Sequence, residues 1–146
     1  MVDAIDLRAL TAALRSGDVD ERENGMAVLS DMVAEAYGEE GARLGQALRE
    51  INALPLLSFM VIDSSPLIQQ AALSVLGNLC SDAFDPNSAL TKRALLETGA
   101  QASLFRVIMS DDDDVLVFAC GTLMNLCHDR EWSLAMLNGG ISDRLE

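Results

Sequence analysis

The segment Leu76-Gly-Asn-Leu-Cys-Ser-Asp82 returns 47 residues further on as Leu123-Met-Asn-Leu-Cys-His-Asp129. The same step backwards lands on Leu29-Ser-Asp-Met-Val33, which keeps the apolar positions. The register extends well beyond these words. Leu10, Leu57 and Leu104 align, as do Leu14, Val61 and Ile108; Gly25, Ala72 and Ala119 align as small residues, and Met32, Leu79 and Leu126 as large ones. A period of this size marks an array of supersecondary units. No such unit covers its own apolar face, so each must stack on its neighbours.

Within each copy the spacing is helical. Ile68, Ala71, Ala72, Val75, Leu76 and Leu79 recur at intervals of three and four, forming one apolar stripe. Ser64-Ser65-Pro66 before it offers a capping hydroxyl and a proline suited to a first helical turn. Leu54 to Ile62 predicts a shorter apolar helix, and Arg43 to Ile51 a charged amphipathic one, ended by Asn52. Asn tolerates the left-handed region at a helix C-terminus, and the third copy has Gly99 at that position. The repeat is therefore expected to contain three helices with a sharp break after the first. Leu95-Leu-Glu-Thr-Gly-Ala100 resembles Met136-Leu-Asn-Gly-Gly-Ile141, pairing Gly99 with Gly140 at a step of 41. The earlier connections are longer by six, as in Ser81 to Ser88, and such an insert is expected to be a surface loop. Gly38-Glu-Glu-Gly-Ala-Arg-Leu-Gly45 likewise reads as a loop leading into the next repeat.

This pattern resembles the armadillo repeat family. The resemblance rests on the Gly99-Ala100 break, the Ser110-Asp-Asp-Asp-Asp-Val115 turn, and third helices ending Leu76-Gly-Asn-Leu-Cys80 and Leu123-Met-Asn-Leu-Cys127, with Ala53-Leu-Pro-Leu-Leu57 in the middle copy. It runs from Ala47 to Leu145 and, more weakly, from Ile5 to Val33. It implies an all-α, right-handed solenoid of three-helix units. The chain would form a single domain, 1–146, with approximate copies 1–39, 40–86 and 87–129 and a partial one at 130–146. The HEAT repeat, with two helices and no need of the break, stands second. The chain opens in an expected second helix and stops in an unfinished one containing Ile141 and Leu145. It is thus read either as an excerpt of a longer array or as one that covers its ends by self-association.

In the armadillo family an Asn on each third helix often lines the concave groove and bonds the backbone of an extended peptide, since an amide donates and accepts together. The matching positions here are Asn78 and Asn125, with Asp31 in the first copy. Four residues earlier, where importin-like members often carry Trp, the chain has Ala27, Ser74 and Gly121, a departure that argues against nuclear-signal recognition of their kind. One turn back on the stripe stand Asp20, Leu67 and Asp114. With Asp31 these carboxylates would make the groove acidic and suited to Lys or Arg, with steering that weakens in salt. Two plainer readings stand beside this one. Asn78 and Asn125 could simply bond neighbouring helices, and Asp20 and Asp114 could simply begin theirs, where carboxylates favour the positive end of the helix dipole.

Composition narrows the rest. The 146 residues carry a net charge of -13, with Lys92 the only lysine. Duplex nucleic acid is therefore a poor partner, because phosphate binding needs clustered Lys and Arg. The abundant Leu, Val, Ile and Met exclude intrinsic disorder. The least charged stretch, Ile51 to Cys80, is interrupted by Pro55 and by Asp63-Ser64-Ser65-Pro66, so no membrane span is read there. Cys80, Cys120 and Cys127 form no C-x-x-C pair and are expected to be reduced, buried thiols in a cytoplasmic or nuclear protein. Asp111 to Asp114 lacks the alternating ligands, glycine and distal Glu of a calcium loop. Cys127-His128-Asp129 reads as consecutive helical positions that point apart and cannot act as nucleophile and base. With one histidine and no phosphate-binding lysine motif, no enzyme, metal or cofactor is implied. The sequence thus predicts a protein-interaction module, with Asn78, Asn125, Ser74 and Gly121 at a groove and Asp31 and Asp114 favouring a basic segment. The alternative is a structural segment of a larger scaffold, or a homo-oligomer joined through its repeat ends.

Overall fold

The computed structural model describes the backbone of residues 4–139 and the side chains of residues 7–139. Gly140, Ile141 and Leu145 lie outside the described residues. Among the described residues the regular structure is all helix: α1 (Ala4–Leu14), α2 (Val19–Glu35), α3 (Glu39–Glu50), α4 (Leu54–Met60), α5 (Pro66–Leu79), α6 (Ser88–Glu97), α7 (Ala100–Val107), α8 (Asp113–Leu126) and α9 (Arg130–Asn138). The helices form a right-handed armadillo-like solenoid. The units α3–α4–α5 and α6–α7–α8 each contain three helices, which decides against the two-helix HEAT alternative.

Local chemistry explains the boundaries. Asp18, Ser65, Asp112 and Asp129 are extended residues whose side chains accept from backbone N–H groups of the helices they precede. The break after each first helix lies at Asn52 (φ 57°) and Gly99 (φ 80°), both left-handed. Around Asn52, its own N–H donates to the Arg49 carbonyl and that of Ala53 to the Leu48 carbonyl, satisfying the last carbonyls of α3. Asn there tolerates the strain that a β-branched residue would not.

The third helices α2, α5 and α8 stack side by side with α5 in the middle, and α4, α6 and α7 pack behind them. Residues in register occupy equivalent buried places, including Leu10, Leu57 and Leu104, and Leu14, Val61 and Ile108. The scarcity of charge in the middle copy follows from α5 being covered on two sides. Polar clips link successive units. Arg22 on α2 grips the Asp63 carboxylate with two nitrogens (3.0 and 3.3 Å) and also donates to the Ser16 carbonyl. Asp63 holds the Arg22 guanidinium above its ordinary range, so this charge is fixed.

The insert after α5 is a surface connection, with Asp82, Ala83, Pro86 and Asn87 exposed, but it is anchored: Asp85 is fully buried, bonded to Arg49 Nη1 (2.9 Å), and the Phe84 carbonyl presses on α3. Three expectations need correction. The glycine-rich stretch Gly38 to Gly45 is mostly helix, because Gly41 and Gly45 provide the space into which that insert packs. The triplet Cys127-His128-Asp129 is the corner between α8 and α9, and Asp129 is engaged as the cap of α9. Of the cysteines only Cys80 is buried; Cys120 and Cys127 are exposed, because α8 has no third helix beyond it among the described residues.

Candidate functional site

Between α5 and α8 runs an open groove of about 210 Å³. Its depth is set by how closely the two helices approach. Gly77 offers no side chain to hold them apart, and a Cβ there would touch Thr122 Oγ1 at 3.4 Å. Thr122 Oγ1 donates to the Leu73 carbonyl at 2.7 Å, with the Phe118 carbonyl of its own helix as a second acceptor at 3.0 Å. Asn125 Nδ2 donates to the Gly77 carbonyl at 2.8 Å. These two side chains tie α5 to α8, Thr122 from a buried position and Asn125 from a half-buried one.

Four of the six sequence-predicted residues line this groove: Ser74 and Asn78 on α5, Gly121 and Asn125 on α8. Asn78 is exposed and turns Nδ2 onto the Ser74 carbonyl of its own helix (2.9 Å). Asn125, half-buried, bridges to the neighbouring helix, so the plainer reading of that residue describes one of its two N–H groups. In each case the second N–H and the carbonyl oxygen have no partner among the described residues. Gly121 is exposed, and a Cβ built there meets nothing within 4 Å.

Asp31 and Asp114 are exposed but do not line the groove. Asp31 lies on α2, one helix over, and Asp114 in the first turn of α8, beyond the cap Asp112. Asp20 holds the equivalent place in α2. The helix-start reading of Asp20 and Asp114 is therefore geometrically satisfied, while their charge still flanks the ladder. Five groove residues were not among those predicted: Val117, Phe118 and Thr122 on α8, and Leu73 and Gly77 on α5. The register held a signal for the first, since Val117 stands where the other copies have Glu23 and Gln70.

A larger hollow, about 470 Å³, spans the α1–α2 turn and α4, lined by the buried Leu14 and Met60, the exposed Phe59 and the Arg22–Asp63 pair. None of the predicted residues is there. No described helix is long and apolar enough to cross a membrane.

No protein-family model matches the chain, and no curated protein matches its sequence. Solved structures do match. A designed armadillo repeat protein is similar over 90% of this chain and 52% of its own, at 19% identity and a TM-score of 0.72. Two engineered proteins match over 95% and 99% of this chain, with TM-scores of 0.76 and 0.74, each at 19% identity. The chain spans about half the length of these three structures, 52% to 55%. What they share with it is the fold: the chain is an armadillo-like repeat solenoid.

Proposed function

We propose that the chain is a non-enzymatic protein-interaction module, acting in the cytoplasm or nucleus, whose α2–α5–α8 face holds an extended, basic segment of a partner protein. The observation that carries this reading is the convergence of Ser74, Asn78, Gly121 and Asn125 on one open groove, with amide capacity left over on both asparagines. An extended backbone has its N–H and C=O groups unpaired, and a primary amide can meet both without reading a side chain. Charge supports the sign of the partner. The exposed Asp20, Asp31, Asp113 and Asp114 lie on these three helices, whereas their one basic residue, Arg22, is committed to Asp63 and Ser16.

Capture on an array of diverse unlabelled peptides, at low and high salt, tests this. The expected outcome is selective capture of Lys- or Arg-bearing peptides, weakened by salt and lost in Asn78→Ala/Asn125→Ala. Capture indifferent to the double substitution would contradict the groove.

A second reading, that the chain is an assembly segment, is favoured by Val28 and Met124. They are 52% and 70% exposed, although the register places them with the buried Val75 and Gly77 of α5. Mass in solution at micromolar concentration separates the two, since a module acting alone stays monomeric.

A further inference from the structure

The groove between α5 and α8 is charged at neither wall. Apart from the two asparagine amides and two hydroxyls, its lining is apolar: Leu73 at the base, Val117 and Phe118 on one side, and the bare backbone of Gly121. Val117 is 68% exposed and Phe118 39%, so both present carbon surface to whatever enters. The space above Gly121 is open. A lysine or arginine seated there would leave its charge without a carboxylate partner, because Asp31 and Asp114 both lie outside the lining. An aliphatic or aromatic side chain would instead remove Val117, Phe118 and itself from water together.

We infer that this subsite takes an apolar side chain, so that the preferred partner is an extended segment with an apolar residue between basic ones. The inference rests on the peptide-groove reading above and specifies its occupant. The spacing follows from the ladder. Packed helices lie about 8–10 Å apart, and an extended chain advances about 3.3 Å per residue. One step along the ladder, from the Asn78–Asn125 subsite to the one bordered by Asp31, therefore corresponds to about two or three residues. A basic side chain at that distance from the apolar one would stand over Asp31, where the acidic surface of this chain complements it.

The experiment uses three synthetic peptides in an otherwise Ser/Gly background: a leucine flanked by lysines, lysines alone, and leucine alone. Affinities are measured by fluorescence anisotropy for the unaltered chain and for Asn78→Ala/Asn125→Ala, Gly121→Trp and Val117→Asp. Circular dichroism melting verifies that each variant is folded, and Val117, being exposed, serves if Gly121→Trp is not. Burial of one leucine side chain predicts that the mixed peptide binds about ten-fold or more tighter than lysines alone. Gly121→Trp and Val117→Asp should erase that advantage. Equal binding of the mixed and all-lysine peptides, both weakened by the double asparagine change, would overturn the apolar subsite and leave the groove standing. Binding that ignores the asparagines would overturn both.

Discussion

At the residue scale, the buried thiol and the groove amides show opposite uses of polarity. Cys80 caps the C-terminus of α5 inside the core, and burial pushes its thiol up from 9.0 to about 12. Burial also raises Cys127, whereas Cys80 alone is out of reach of solvent. A thiol reagent at mildly alkaline pH should therefore modify Cys120 and Cys127 in the native protein and reach Cys80 only after denaturation. Mass spectrometry of the labelled sites checks this, and prompt native labelling of Cys80 would contradict it. The same shift sets a pH dependence. Above 9.0 the unfolded chain releases this proton while the folded chain keeps it to about 12, so the unfolded state binds fewer protons and stability falls as pH rises through that window. Urea melts above pH 9 should show the loss, and Cys80→Ala should remove its share. Among the groove residues, Ser74, Asn78, Gly121 and Asn125 were legible because the repeat fixes their place on a helix face. Thr122 was not, since its counterparts Val28 and Val75 carry no hydroxyl, and neither was Phe118, because helical spacing alone does not tell a covered apolar residue from an exposed one.

At the scale of elements, glycines divide by what surrounds them. A Cβ on Gly41 would come within 2.2 Å of the Phe84 carbonyl oxygen, and one on Gly45 within 2.2 Å of Asp85 Oδ2. A backbone carbonyl cannot swing aside, so Gly41→Ala should destabilise the chain by about 2 kcal/mol through overpacking. Gly121, exposed inside α8 and touching nothing, should behave oppositely. Gly121→Ala removes unfolded-state freedom without a clash and should stabilise by about 0.5–1 kcal/mol. Thermal melts read both, at about 2–4 °C per kcal/mol for a chain of this size. Stabilisation by Gly41→Ala would contradict the α3–insert packing, and destabilisation by Gly121→Ala would contradict the open space above Gly121. This contrast also marks what the sequence left hidden. Asn52 and Gly99 announced their breaks because a left-handed residue after an amphipathic helix has a local cause. The helical state of Gly41 and Gly45 has a distant one, the insert that packs on them, and neither propensity nor periodicity reports it. The burial of Asp85 follows from the same contact, with Arg49 supplying the charge that compensates it.

For the whole molecule, the repeat supplies geometry and the composition supplies a field. Stacking α2, α5 and α8 in one ladder brings residues 47 apart into a row, so a chemistry written once per copy becomes a surface. A net charge of -13 surrounds that surface with a potential that attracts basic segments at a distance and repels acidic ones. The fold class was legible because a period repeated three times leaves few alternatives; the apolar character of the groove was not, because it depends on which face of α8 meets α5. The most direct measurement is an NMR titration of the isotopically labelled chain with a leucine-centred, lysine-flanked peptide, following the side-chain amide signals. Both Asn78 and Asn125 Nδ2 resonances, with the Gly121 backbone amide, should shift together and saturate at one ratio. If those three signals stay fixed while others move, the ladder between α5 and α8 is not where the partner binds.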